Sequence, residues 1–185
     1  MHPLPLLLLV ALLSACAARS PGDLPPLKRP ERVALSDFVG TWYVIANIPY
    51  FAERGRVGSR VEYRPRGDGR FDDLYYSRKG DFAAPERLLK GVAWPLDPPT
   101  YTRWRSRFYW PFTFDFEVLY LDPQTGHLLL GHASREYAWV MARSPDMSEQ
   151  DYQALLARLA AQGYDPSRLK RVPQRPEQIG QPGFQ

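Results

Sequence analysis

Few side chains in this chain can do chemistry, and their spacing excludes more than it supports. The only cysteine is Cys16. It can form no intramolecular disulfide, and neither a cysteine-based zinc site nor an iron–sulfur cluster can be assembled around it. A thiol is, however, the one side chain suited to thioether formation, and Cys16 directly follows an apolar run ending in Leu13-Ser14-Ala15. The histidines are His2, His127 and His132, with no Gly-x-Ser-x-Gly elbow, phosphate-binding glycine loop or His-Glu-x-x-His pair beside them. His127 and Tyr120 are therefore read as packed or ligand-contacting groups, not as an acid–base couple. No catalytic residue and no cofactor is expected, and the chain is not expected to be an enzyme.

Charge excludes a second class. The chain has 24 basic and 20 acidic residues, a net charge of +4. The excess lies in residues 19–32 and 165–185, each with four basic and two acidic groups, so positions 33–164 are neutral. A nucleic-acid partner would call for basic charge on the folded surface, so none is expected. Apolar residues make up 44% of the chain, enough to bury a core.

Pro3 to Ala15 is apolar apart from Ser14, shorter than the roughly 20 residues that cross a bilayer as a helix. Its length and small-residue ending read as a secretory signal over residues 1–15. Leu13-Ser14-Ala15-Cys16 resembles the bacterial lipobox, although no lysine or arginine precedes the leucines. The resemblance implies cleavage before Cys16, a diacylglyceryl thioether on its sulfur and an acylated new N-terminus. Two or more chains would hold the protein stably on a membrane. Ala17 stands where aspartate would signal inner-membrane retention, which favours the outer membrane, on its periplasmic face. Residues 16–33, with Pro21, Pro25, Pro26 and Pro30, read as an extended lipidated tether.

From Gly40 onward the pattern has period 2. Arg60, Glu62 and Arg64 alternate with Val57, Val61 and Tyr63, and three arginines alternate with Thr102, Trp104, Ser106 and Phe108. Turn signals such as Arg66-Gly67-Asp68-Gly69 and Asp97-Pro98-Pro99 punctuate eight strands, at about 40–48, 57–65, 70–78, 87–96, 101–109, 112–121, 127–133 and 136–143. One amphipathic helix follows, with Ser148 as N-cap, an apolar stripe of Tyr152, Leu155, Leu156 and Leu159, and Gly163 at its close. A short ninth strand is expected near Leu169 to Pro173. Eight sequential antiparallel strands suggest a closed up-and-down β-barrel or a sandwich, with the C-terminal helix packed outside.

Gly40-Thr41-Trp42-Tyr43 resembles the Gly-x-Trp signature of the lipocalin family, and Arg143 lies at the close of the last barrel strand. Asp122 falls where the family's middle element lies, with Leu121 and Pro123 in place of its usual neighbours. The resemblance covers about residues 34–175 and implies the all-β eight-stranded barrel. It also implies that Gly40, Trp42 and Arg143 form a closed barrel floor, the guanidinium stacked on the indole. The segments 40–46, 51–55, 108–112 and 135–139 are similar to the bacterial outer-membrane lipocalins, though Val44 stands where many of those have glutamate. Residues 176–185 are left as a flexible tail.

With Trp42 and Arg143 inside, alternation gives the lining: Val44 and Ala46 on the first strand, Val61 and Tyr63 on the second, Trp104 and Phe108 on the fifth. It continues with Phe116, Val118 and Tyr120 on the sixth, His127 and Leu129 on the seventh, and Tyr137, Trp139 and Met141 on the eighth. The facings of the third and fourth strands stay open. Arg54, Arg56, Arg78 and Lys79 lie near the open end, where one or more could pair a lipid headgroup. The resemblance implies a fatty acid or lysophospholipid-like ligand, for lipid storage, transport or scavenging in the envelope. Two alternatives are an envelope scaffold with a filled barrel and a tetrapyrrole or haem carrier using His127. Dimerisation with a second copy is left open.

Overall fold

Alternating apolar and polar residues interrupted by glycine- and aspartate-rich turns make short antiparallel strands, and here they close on themselves. The structure is a computed structural model that describes residues 24–185. A one-turn helix α1 (Leu35–Phe38) precedes eight strands: β1 (Gly40–Asn47), β2 (Arg56–Pro65), β3 (Phe71–Lys79), β4 (Arg87–Pro95), β5 (Arg103–Tyr109), β6 (Phe112–Asp122), β7 (His127–Gly131) and β8 (Ala138–Ala142). Each pairs with the next, and β1 pairs with both β2 and β8, so the sheet closes into an antiparallel up-and-down barrel without free edges. Each boundary lies within two residues of the expected one. The short β9 (Lys170–Arg171) adds to β1 outside the barrel, beside Ala46 and Asn47.

Helix α2 (Glu149–Ala160) begins where expected. The backbone N–H of Asp151 donates to the Ser148 hydroxyl, satisfying one of the free amides of the first turn. Tyr152, Leu155 and Leu159 are buried against an outer barrel layer that includes Ile45, Ala46, Leu119, Leu129, Val140 and Ala142.

Two β-bulges add to that outer layer and correct the strict alternation expected from sequence. On β1 the pairing with β8 shifts between Val44 and Ala46, and on β6 the pairing with β7 shifts between Val118 and Tyr120. An inserted residue reverses the facing of all that follows on that strand. Ala46 therefore faces the helix, and Asn47 turns inward. Tyr120 likewise lies outside, under the Arg158 guanidinium.

The floor is assembled from the chain's entry and the last strand. Arg143 lies 3.6 Å above the centroid of the Trp42 ring and donates to the carbonyls of Thr41, Asp37 and Val39. The Trp42 indole N–H donates to Phe38 O at 2.7 Å. Gly40, at a φ of 93° open mainly to glycine, brings the chain past Arg143, and a side chain there would sit 3.3 Å from its Nη1.

The ends of the described chain lie on the barrel. Leu27 is buried in the helix layer, and Arg135 donates to Pro25 O, Ala133 O and Gln162 O, joining the entering chain, the β7–β8 connection and the end of α2. The latter part of the segment expected as a tether is thus in contact with the wall. Residues 176–185, expected as a flexible tail, include a 3₁₀ turn at Pro176–Gln178 and a bridge from Phe184 to Arg171.

Trp42 is 1% exposed at the point where stacking and hydrogen bonds converge. Trp42→Ala is expected to cost roughly 3–5 kcal/mol, as truncation of a large buried aromatic does. Chemical denaturation of the purified variant measures this, and an unchanged midpoint would remove the indole from the floor.

Candidate ligand cavity

On the floor side the barrel is solid. Phe38 stacks on Tyr63 and Trp104 with ring centroids 4.6 and 4.5 Å apart, and Trp104 meets the edge of Phe71 at 5.1 Å. Val44 and Val118 complete this layer. Beyond it the barrel opens into a cavity of about 320 Å³, at the small end of the range for small-molecule sites. Its walls are mainly aromatic and aliphatic. At its mouth Phe51 and Phe112 project into solvent, next to the fully displayed Trp110.

Seven of the residues expected in the lining are there: Val61, Tyr63, Phe108, Phe116, Tyr137, Trp139 and Met141. Val44, Trp104 and Val118 point inward but are spent in the filled floor layer. Four are corrections. Ala46 and Tyr120 are turned outward by the bulges, and Leu129 packs under α2. His127 shares the outer face with Leu129, because Leu128 and Leu130 take the inward positions opposite Met141 and Trp139. Past the β6 bulge Leu121 faces inward opposite Leu128, which sets the facing of β7. Cys16 lies outside the described residues.

The strands left open by sequence now have a facing, and they bring polar groups with them. Phe71, Asp73, Tyr75 and Ser77 face inward on β3, opposite Ala93, Gly91, Leu89 and Arg87 on β4. Asp73 is 3% exposed, and its Oδ2 accepts from the Ser106 hydroxyl on β5. The contact reaches across β4, where the residues opposite the pair are the small Gly91 and Ala93. A Cβ at Gly91 would come within 2.7 Å of the Phe108 ring, which fills that space.

Glu53 is a second buried acid, carried inward by the β1–β2 connection. Its Oε2 accepts from Asn47 Nδ2 and its Oε1 from the Trp139 indole N–H, each at 2.9 Å. The inward turn of Asn47 after the β1 bulge makes the first contact possible. Ser59 and Tyr75 pair their hydroxyls at 3.0 Å. Burial holds both carboxyls up at about 7, and in Glu53 it outweighs the bonds from Trp139 and Asn47 that favour the charged form. Burial, helped by Glu53, also pushes the Tyr50 phenol far above its ordinary range.

Among the described residues no lysine, arginine or histidine lines the cavity. Arg56 donates to Ala52 O, and Arg78 is occupied by Ala84 O and Glu86, so these two cations brace loops outside the cavity. Sequence reasoning left the facing of Asp73 open and missed Glu53 and Tyr50. Asp73 could have been found by carrying the register across the Arg66–Gly69 turn, since Pro65 opposite Phe71 sets Tyr63 opposite Asp73. Glu53 and Tyr50 lie in a connection where periodicity gives no facing.

A sealed floor under arginine-on-tryptophan stacking, an eight-stranded calyx and a flanking helix define a lipocalin architecture. Residues 33–174 match the family described as lipocalin-like domain, and the chain belongs to the lipocalins. It is 32% identical over 149 residues to temperature-induced lipocalin-1 of Arabidopsis thaliana, covering 74% of this chain and 77% of that protein. Outer membrane lipoprotein Blc of Escherichia coli K12 is 30% identical over 140 residues, with the same coverage, and that of Vibrio cholerae 27% over 173 residues, covering 91% and 96%. Among solved structures, insecticyanin of Manduca sexta superposes with a TM-score of 0.63 at 17% identity, over 80% of this chain and 85% of that one.

The buried acids make stability depend on pH in a defined sense. Glu53 and Asp73 titrate near 4.5 and 3.8 when solvated and at about 7 when folded, so between these limits the folded state holds protons the unfolded state has lost. Stability therefore falls as pH rises from about 4 to about 7, by up to roughly 3–4 kcal/mol for each group. Ion-paired surface carboxylates such as Asp115, held below their ordinary range mainly by Arg105, act in the opposite sense only at more acid pH. The apo protein is expected to melt several degrees higher near pH 5.5 than near pH 8, and Asp73→Asn to flatten that slope. A melting point that climbs between the two would contradict the burial of these carboxyls.

Proposed function

We propose that this protein is a non-enzymatic carrier, lipid-anchored through Cys16 on the periplasmic face of the outer membrane. It takes up fatty acid or lysophospholipid-like molecules for storage, transport or scavenging during envelope maintenance. The carrying observation is an open, mostly apolar cavity above a sealed floor. Enclosing an alkyl chain there removes its surface from water at about 25 cal/mol per Å², so affinity needs no elaborate polar site. The anchor reading is supported by the lipobox-like run and by bacterial relatives whose names are those of outer membrane lipoproteins. Among the described residues no helix is long and apolar enough to cross a membrane.

The two alternatives fit less well. A scaffold with a filled barrel accounts for the floor layer but leaves the open half without a role. A haem or tetrapyrrole carrier loses the ligand it rested on, since His127 is on the outer face.

A fluorescent fatty-acid analogue is expected to bind saturably at micromolar concentration and to be displaced by unlabelled lysophospholipid. Met141→Trp, which adds an indole inside the cavity, should weaken binding at least about tenfold, while Tyr120→Ala on the outer face should change it by less than about twofold. Binding that is absent, or equally reduced by both substitutions, would remove the cavity as the site.

A further inference from the structure

The cavity's polar groups are unevenly matched, and the mismatch bears on what it holds. Asp73 is more than nine-tenths buried and lines the cavity. Ser106 satisfies its Oδ2, whereas its Oδ1 has no hydrogen-bond partner among the described residues. Gly91 opposite has no side chain, Phe108 covers that glycine, and the phenol of Tyr63, its cross-strand neighbour on β2, makes no hydrogen bond to it. The other carboxyl of the lining, Glu53, already accepts from Asn47 and Trp139. With no cation in the wall among the described residues, the Asp73 oxygen that faces the cavity favours whatever can donate to it.

We propose that Asp73 Oδ1 receives a hydrogen-bond donor of the ligand, and that the cavity selects single-chain amphiphiles ending in a hydroxyl or amine over those ending in a carboxylate. This rests on the carrier reading and narrows its ligand. A donor head entering first would complete the Ser106–Asp73 pair while its chain fills the aromatic walls. A carboxylate in that place would meet a carboxyl oxygen and no cation, so a free fatty acid is left to bind tail-first with weaker discrimination. Burial that holds the Asp73 carboxyl up at about 7 has the same origin, a carboxylate without a counter-charge.

The test uses the full chain and three probes of equal length: dodecanol, dodecylamine and dodecanoate. Each competes with a neutral naphthylamine fluorophore near pH 8, where Asp73 is mostly ionised. The alcohol and amine are expected to displace the fluorophore at concentrations about tenfold below dodecanoate, the effect of one charge-assisted hydrogen bond. Asp73→Asn should bring all three within about twofold, and Ser106→Ala, which leaves the carboxylate in place, should keep the order. Equal affinities in the unaltered protein, or a preference that survives Asp73→Asn, would overturn the proposal while leaving a lipid carrier standing. Displacement by none of the three would instead overturn the carrier reading itself. The ranking in the unaltered protein decides the matter even if Asp73→Asn fails to fold.

Discussion

The guanidinium of Arg143 on the face of Trp42 is the contact on which the barrel depends. It joins residues 101 positions apart, at the start of the first strand and just past the last, and its N–H groups satisfy three carbonyls of the entering chain. Arginine suits this role because its flat, permanently charged fork stacks and donates at once. Burial pulls its pKa down, which shows the cost of placing a cation there. The stack and the carbonyl bonds offset that cost, and the charge closes the end of the barrel where water would otherwise reach the apolar layer.

A closed floor fixes where empty space can lie. Phe38, Tyr63, Trp104 and Phe71 pack against the sealed end at ordinary aromatic separations, so no volume is left there. The opposite end has no comparable plug. Its connections present Phe51, Trp110 and Phe112 to solvent, an apolar rim that costs stability in water and makes sense beside a greasy ligand or surface. The same eight strands thus hold a rigid core and an open site, separated by depth along one axis.

Sequence periodicity carried the fold and ten of the fourteen expected inward facings, and the four it lost have a single physical cause. Alternation survives only while each residue opposes one partner. The shifts after Val44 and Val118 insert a residue, so Ala46 and Tyr120 changed sides, and past the β6 shift Leu121 opposite Leu128 turns His127 and Leu129 outward. No composition signal marks either shift, because Ile45 and Leu119 are as apolar as the residues they displace. The bulges extend the apolar outer surface against which Tyr152, Leu155 and Leu159 of α2 pack, adding Ala46 to Ile45 and Leu119. The Trp42–Arg143 pair was legible because it rests on residue type and position, not on counting.

The buried acids follow from the same geometry. Asn47 reaches Glu53 because the β1 bulge turns it inward, and Asp73 reaches Ser106 across the small residues Gly91 and Ala93 of the intervening strand. Such groups weaken an empty barrel: each carboxyl must stay protonated or carry an unscreened charge among aromatics. A protein selected for packing alone would replace them with leucine or phenylalanine, as its floor layer has done. They line the open part of the barrel with hydroxyls beside them, and among the described residues the cations stay outside its wall. On the carrier reading proposed above, stability is given up at Asp73, where a ligand and not the fold would supply the missing partner.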